Sequence, residues 1–186
     1  MSDLLRLRGV ACLRGGRLLF EGMSFALEAG GAAVVTGANG VGKSSLLRIA
    51  AGLLRPSAGT VERERVAFAE ERAALDERQS LGSALAFWAR LDGVRAEPGI
   101  EAMGLERLER VPVRILSTGQ RKRGALARVV SSGAPLWLLD EPANGLDEEG
   151  RALLGEAMRR HRQSGGAILA ATHHPLDLER AQVIAL

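Results

Sequence analysis

Apolar runs and stretches of helical periodicity alternate along most of this chain. Small, β-branched and other apolar residues fill three short runs, which predict buried strands over Ala32–Thr36, Leu136–Asp140 and 167–172. Apolar residues at helical spacing predict three helices, over 44–54, 119–131 and 148–163. This alternation predicts an α/β domain with a mainly parallel sheet flanked by helices.

The N-terminal part has a different pattern. Residues 4–7 and 18–25 predict two short strands joined by a turn at Gly15-Gly16, and so a small antiparallel β part. One further strand is expected over 61–69, after a turn that begins near residue 57.

Helical periodicity returns between about residues 70 and 116. We predict a helix over 73–92 and a shorter one over about 101–110, which together form a helical insert in a single domain spanning 1–186. Apolar residues recur at i, i+4, i+7 and i+10 in this insert and form one stripe along the predicted helix, which consists of Leu81, Leu85, Trp88 and Leu91. The stripe either packs the insert on the core or receives a helix of a partner protein.

The composition fits one globular domain, with 186 residues, 46% of them hydrophobic and 25% charged. A single cysteine, Cys12, excludes an internal disulfide framework and fits a reducing cytosol. The first residues lack the pattern of a signal peptide, and no apolar run approaches the roughly 18 residues of a membrane span. We therefore expect a cytosolic protein that reaches a membrane only through a partner.

The segment Gly-Ala-Asn-Gly-Val-Gly-Lys-Ser, residues 37–44, matches the phosphate-binding loop G-x-x-x-x-G-K-[ST] at every fixed position. It lies between a predicted strand and a predicted helix, as the motif requires. Lys43 is one of only two lysines in the chain, and we predict that it pairs with the β- and γ-phosphates while Ser44 binds Mg²⁺. The predicted phosphate contacts are Gly37, Ala38, Asn39, Gly40, Val41, Gly42, Lys43, Ser44 and Ser45.

Two acidic residues end the apolar strand predicted over Leu136–Asp140. Asp140 is the candidate to hold Mg²⁺, and Glu141 is the candidate to orient and deprotonate the attacking water. An acidic pair after an apolar strand can equally be a helix cap, but its place about a hundred residues after a phosphate loop favours catalysis.

Residues 116–120 read Leu-Ser-Thr-Gly-Gln. Together with the motifs above, this segment resembles the ATP-binding-cassette (ABC) ATPases, whose signature is Leu-Ser-Gly-Gly-Gln. The resemblance implies that ATP and Mg²⁺ lie between two cassettes, each contributing its signature to the other's phosphate loop. It assigns roles at the facing subunit's site to Ser117, Gly119, Gln120 and Asp147. A serine helix cap explains the signature segment equally well. Thr118 replaces the family's Gly, which costs about 1–2 kcal/mol if this position needs a positive φ.

By the same resemblance, His173 is the histidine that touches the γ-phosphate, with His174 as the alternative. The family's Gln at the start of the insert is replaced by acidic residues, and Glu71, with Glu70 beside it, is the candidate to bind Mg²⁺ there. The chain has no tyrosine, so the family's usual ring under the adenine is missing, and Cys12 or a neighbour occupies that region. We expect base recognition to be weaker or different as a result.

Several segments resemble a narrower family, the ATP-binding subunits of the cytochrome c maturation exporter, known as CcmA. They are residues 11–20, 23–25, 39–48, 135–142 and 173–176. This resemblance implies a haem-transporting class of ATPase, peripheral at the cytoplasmic face of the inner membrane. Its implied partners are an integral membrane permease, a second ATPase subunit and a haem-handling chaperone complex. Hydrolysis would either export haem or release a haem-carrying chaperone.

Two other functions stay open at this point: the ATPase subunit of another ABC transporter, and a cassette ATPase that acts on nucleic acid or ribosomes. The net charge is only +3 and follows from an arginine-rich composition, so direct contact with nucleic acid is not expected. A GTPase would need Asn-Lys-x-Asp, and Asn-Gly-Leu-Asp at residues 144–147 lacks the lysine.

Overall fold

A computed structural model describes residues 3–70 and 75–186 of the chain. Its strands are β1 Asp3–Arg14, β2 Arg17–Glu28, β3 Ala32–Thr36, β4 Ala58–Arg63, β5 Val66–Ala69, β6 Leu136–Asp140, β7 Ala167–Ala171 and β8 Gln182–Ala185. Its α-helices are α1 Lys43–Ala51, α2 Leu81–Asp92, α3 Glu97–Ala102, α4 Thr118–Ser131 and α5 Glu148–Gln163. The predicted fold class, an α/β protein with a small antiparallel part near the N-terminus, is confirmed.

The larger sheet has the order β5-β6-β7-β3-β8, and all of its strand pairs are parallel. Because parallel strands end at the same edge, the residues that follow β3, β6 and β7 meet at one place. These three strands are neighbours, although β3 precedes β6 by about a hundred residues in the chain. This strand order positions the candidate site.

Both faces of the parallel sheet are covered. Along β6, Leu136 and Leu138 point into a core that α1 and β1 share, whereas Trp137 and Leu139 point into a core formed with α4, α5 and the insert. Successive residues of a strand point to opposite faces, so a strand buried on both sides is apolar without alternation. This explains the continuous apolar run that predicted β6.

The smaller sheet is an antiparallel hairpin of β1 and β2 with β4 on the other side of β1. Gly15 and Gly16, both with positive φ, form the predicted turn of the hairpin. The strand predicted over 61–69 is wrong as a single element, because β4 and β5 occupy this stretch and belong to different sheets. The break at Glu64 and Arg65 lets the chain pass from one sheet to the other.

The helical insert also differs from its prediction in detail. The helix predicted over 73–92 begins only at Leu81, where Ser80 caps it by accepting a hydrogen bond from the Ser83 N–H. The shorter helix is α3, which begins at Glu97 rather than near residue 101 and is followed by two short 3₁₀ turns. Apolar periodicity predicted helix here, but only the cap determines where α2 starts.

None of the described helices is both long and apolar enough to cross a membrane.

Candidate active site

A cavity of about 510 Å³ opens where β3, β6 and β7 end. Most of the residues predicted for nucleotide chemistry lie in its wall, together with residues that were not predicted. The lining consists of Arg14, Leu19, Asn39, Gly40, Gly42, Lys43, Ser44, Ser45, Asp140, Glu141, Asn144, His173 and His174. Three motifs that are far apart in sequence therefore form one site.

The phosphate loop has a backbone that its three glycines make possible, because Gly37, Gly40 and Gly42 all have positive φ. Gly37 and Gly42 have φ values of 142° and 124°, which side chains of L-residues rarely allow. A Cβ on Gly42 would also lie 3.1 Å from Cδ1 of Phe20, because the hairpin packs directly against the loop. Gly42 begins α1 without a side-chain cap, so the first N–H groups of this helix are directed to the cavity and suit an anion.

Lys43 is buried, and its ammonium group lies at the centre of the site. It donates hydrogen bonds to the carbonyl oxygens of Gly37 at 3.0 Å and Ala38 at 3.1 Å. Its Nζ also lies 2.8 Å from Nε2 of His173. An ammonium group can only donate, so Nε2 of His173 is the acceptor in this contact. The structure thus brings two predicted residues, 130 positions apart, into direct contact.

Glu141 is held in an unusual conformation at the end of β6. Its φ of 45° is left-handed, which costs a non-glycine residue about 1–3 kcal/mol. Its N–H donates to the Ala171 carbonyl at 2.8 Å, and its Oε2 accepts from the Thr172 hydroxyl at 3.2 Å and from the His173 N–H at 3.3 Å. The turn and these bonds direct the carboxylate across β7 and into the cavity. Strain of this kind at a polar cavity is typical of a functional residue.

Asp140 and Ser44 are suited to hold Mg²⁺. Both line the cavity, one offering a carboxylate and the other a hydroxyl oxygen. Mg²⁺ in nucleotide sites is bound by one or two protein oxygens, and phosphate oxygens and waters complete its coordination. Asp140 is buried, and its backbone carbonyl accepts a hydrogen bond from Nζ of Lys122 at 3.2 Å. The predicted donor pair therefore fits the ion.

The residues assigned to the facing subunit do not line this cavity. Ser117 and Gln120 form a capping box at the start of α4, in which each side chain bonds the other's backbone N–H. Asp147 caps α5 by accepting from the Gly150 N–H at 2.8 Å. The capping explanation of the signature segment is thus correct within one subunit. Gly119 lies beside Gly145, where a Cβ would come 2.9 Å from the Gly145 carbonyl oxygen.

Two expectations about single residues are resolved. Thr118 is the first residue of α4, and its φ is not positive, so it does not carry the cost that a left-handed position would impose. Glu70 is paired with Arg48, with its Oε1 2.9 Å from Nε, and it does not line the cavity. Glu71 lies outside the described residues, so its proposed contact with Mg²⁺ stays a prediction.

Some lining residues were not predicted for the site. Arg14 and Leu19 come from the β1–β2 hairpin, and Asn144 from the loop after Glu141. The hairpin residues lie in the segment 11–20 that carries the family resemblance, and Arg14 is a neighbour of Cys12, but neither was assigned a role, and packing beside Gly42 brings them to the site. Cys12 does not take the place of the missing tyrosine ring, because it is buried in the core. Burial raises the pKa of the Cys12 thiol, against smaller lowering effects from Arg14 and from a hydrogen bond with Ser45.

Comparison with known proteins agrees with this geometry. The model of the ABC transporter family matches residues 20–144, which include the phosphate loop, the signature and both acidic residues. A solved structure described as the ATP-binding subunit of an ABC transporter superposes with a TM-score of 0.89 over 98% of this chain and 85% of its own, at 24% identity. A putative ABC transporter ATP-binding protein from Pyrococcus furiosus superposes with a TM-score of 0.85 over 98% of this chain and 96% of its own, at 20% identity. These likenesses show the ABC ATPase fold.

More similar sequences narrow the family. The cytochrome c biogenesis ATP-binding export protein CcmA of Sphingopyxis alaskensis is 54% identical over 96% of this chain and 94% of its own. The protein of the same name from Novosphingobium aromaticivorans is also 54% identical, over 95% of this chain and 92% of its own. With the phosphate loop, the acidic pair and the histidine assembled at one cavity, the chain belongs to the ABC transporter ATP-binding proteins and, among them, to the CcmA family of cytochrome c biogenesis ATP-binding export proteins.

Proposed function

We propose that this chain is the ATP-hydrolysing subunit of a transporter complex that serves the biogenesis of c-type cytochromes. The observation that carries the proposal is the meeting of Lys43, Glu141 and His173 at one cavity, in a chain whose relatives are named as cytochrome c biogenesis export proteins. ATP hydrolysis drives either the export of haem or the release of a haem-carrying chaperone.

The phosphate loop supplies the binding energy for the nucleotide. In this proposal the β- and γ-phosphates of ATP take over the Lys43 ammonium from the carbonyl groups of Gly37 and Ala38. The N–H groups at the start of α1, which has no side-chain cap at Gly42, add further donors. His173 loses its lysine contact in the same step and becomes able to face the γ-phosphate.

Glu141 acts on the attacking water. Its carboxylate accepts a proton from the water as the γ-phosphate is transferred, and the Thr172 hydroxyl and the His173 N–H keep it aimed at the cavity. Oε1 of Glu141 lies 3.5 Å from Nε2 of His173, so both side chains face the same reacting group. Mg²⁺, held by Ser44 and Asp140, would neutralise phosphate charge.

A second copy of the chain completes the site. Ser117, Thr118 and Asp147 are exposed and do not line the cavity of their own subunit, although the capping roles of Ser117 and Asp147 need no such exposure. The start of α4 offers a helix N-terminus and a serine hydroxyl, which suit the γ-phosphate held by a facing subunit. We therefore include a nucleotide-dependent dimer in the proposal.

The membrane partner is proposed to dock on a groove at the β5 edge of the parallel sheet. The predicted stripe is only partly available, since Leu81 and Leu85 are buried in the core. Trp88 is half-buried, with the Arg128 guanidinium 3.5 Å from its ring centroid. Beside Arg128, the groove is also lined by Leu53 and Phe68, and Leu53 is 68% exposed. An apolar helix of a permease at the cytoplasmic face of the membrane fits such a groove.

Co-purification in gentle detergent from the native membrane tests this function. The wild-type chain is expected to recover an integral permease together with haem-handling proteins. Leu53→Asp should lower that recovery roughly tenfold, because it places a charge in an apolar contact, and leave ATP binding unchanged.

The matched control is Val183→Asp on β8. Val183 is 69% exposed and lies at the opposite edge of the sheet, so its variant should recover the permease normally. Recovery of ribosomes or nucleic acid without a membrane protein would overturn the transport role and leave the ATPase chemistry intact.

A further inference from the structure

The wall of the cavity is not formed by the phosphate loop alone, because the β1–β2 hairpin, which packs against this loop, also lines it. Arg14 and Leu19 form this wall beside Gly42 and Ser45. Lys43 and His173 define the end where the terminal phosphate goes, so the base and ribose of a bound nucleotide extend toward the hairpin. Which group holds the base is a question that depends on the proposed function, because it arises only if the ligand is a nucleotide.

Local strand geometry directs both side chains to the cavity. Cys12 and Arg14 are two residues apart in β1 and so lie on one face of the strand. Cys12 packs in the same core as Leu46 and Leu47 of α1, which shows that this face is turned toward the helix that follows the phosphate loop. Leu19 is the extra residue of a β-bulge, because Cys12 pairs with Phe20 whereas Leu13 pairs with Leu18. A bulge of this kind turns a side chain out of the regular alternation.

The Arg14 guanidinium is available for a ligand. Among the residues that the structure describes, it forms no ion pair with an acidic side chain. The ring side chains that line the cavity are those of His173 and His174, which follow β7, and His173 contacts Lys43 at the phosphate end. The chain contains no tyrosine. A planar guanidinium stacks well on aromatic rings, and stacking on nucleic-acid bases is one of its common uses.

We infer that Arg14 stacks on the nucleotide base, with Leu19 packed beside it, and that this contact replaces an aromatic platform. Stacking on a guanidinium reads the π-face of the base and not its hydrogen-bonding edge, so it tolerates different purines. The site consequently binds ATP and GTP with similar affinity, within about threefold.

Calorimetric binding of Mg²⁺ complexes of ATP, GTP and inorganic triphosphate to the full chain separates the base contact from the phosphate contacts. Arg14→Ala should weaken ATP and GTP roughly fivefold each and leave triphosphate unchanged. Arg14→Lys should weaken both nucleotides to a similar degree, because lysine keeps the charge but not the plane.

The matched control is Arg17→Ala. Arg17 pairs with Arg14 across the hairpin and carries the same charge, but it does not line the cavity. Its variant should bind all three compounds like the wild type.

Each other outcome has a separate meaning. If Arg14→Ala weakens triphosphate as much as ATP, Arg14 is a phosphate contact and the inference is overturned. It is equally overturned if Arg14→Ala binds ATP normally, or if the wild type prefers ATP over GTP by a large factor. If the wild type binds no triphosphate and no nucleotide, the proposed function itself fails.

Discussion

The carboxylate of Glu141 depends on Thr172, a residue to which the sequence assigned no role of its own. Thr172 is buried at the end of β7, and its hydroxyl lies 3.2 Å from Oε2 of Glu141 and 3.2 Å from the His174 carbonyl oxygen. One proton can serve one of these acceptors at a time. The hydroxyl also accepts from the His174 N–H at 3.0 Å. Thr172 therefore links the orientation of the proposed base to the loop that carries both histidines.

Thr172→Val removes this link while keeping the shape of the side chain. A hydrogen bond to a charged group contributes about 1.5–3 kcal/mol, so we expect the steady-state rate of ATP hydrolysis to fall at least about tenfold. The KM for ATP should change little, because the phosphate loop is untouched. Thr172→Ser keeps the hydroxyl and should retain most of the activity, and equal loss in both variants would contradict this role.

Contacts between elements connect the signature helix α4 with the site in the same subunit. Lys122, on the second turn of α4, bonds the carbonyl of Asp140 at the end of β6. Thr118 has its methyl carbon 3.5 Å from the position that a Cβ on Gly145 would occupy. The start of α4, the end of β6 and the loop to α5 therefore pack as one unit. A movement of the signature is expected to move the end of β6, which carries the proposed base Glu141, with it.

A second contact between elements lies toward the other end of the parallel strands, away from the cavity. His161 of α5 stacks on Trp137 of β6, with ring centroids 3.9 Å apart and planes 9° from parallel. Gly166 leaves room for the imidazole, since a Cβ there would come into direct collision with it. Burial lowers the pKa of His161 below its ordinary value of 6.5, although backbone hydrogen bonds with Ala167 and Pro135 act in the opposite direction.

This shift predicts a pH dependence of stability. A lowered pKa in the folded protein means that the unfolded chain binds the proton more readily. The contribution of neutral His161 is thus fully present above about pH 6.5 and is lost as the pH falls toward the folded pKa. His161→Phe keeps a stacked ring but does not titrate.

Chemical denaturation from about pH 7.5 to about pH 5 checks this expectation. The free energy of unfolding of the wild type should fall relative to that of His161→Phe as the pH is lowered. Because the two proteins are compared at each pH, contributions from other titrating groups cancel in the difference. A difference that stays constant with pH would contradict the prediction.

At the scale of the whole molecule, hydrolysis and assembly are expected to be coupled. Glu141→Gln should lower the rate of hydrolysis at least about 100-fold, because it removes a general base, while ATP still binds. The ATP-bound dimer should then accumulate, and light scattering should show a doubling of mass on addition of ATP. Adding Lys43→Ala to this variant removes the phosphate contact and should return a monomer. A Glu141→Gln protein that stays monomeric with saturating ATP would argue against the shared site.

Local pattern determined much of this protein. β3, β6 and α5 have the bounds that the sequence predicted, because glycines, caps and apolar runs act over a few residues and are visible in the sequence. The phosphate loop and the acidic pair were found for the same reason. The chemical role of each of these residues remains a prediction. The single domain over 1–186 also remains a prediction.

Only the tertiary structure determined the features that depend on residues far apart in the sequence. The strand order β5-β6-β7-β3-β8 brings Lys43 to His173, splits 58–69 between two sheets and adds β8, which the sequence did not predict. It also turns Arg14 and Thr172 into residues of the site. The physical reason is that strand pairing and burial join residues more than a hundred positions apart, and the free energy of those contacts depends on the whole fold and not on any one segment.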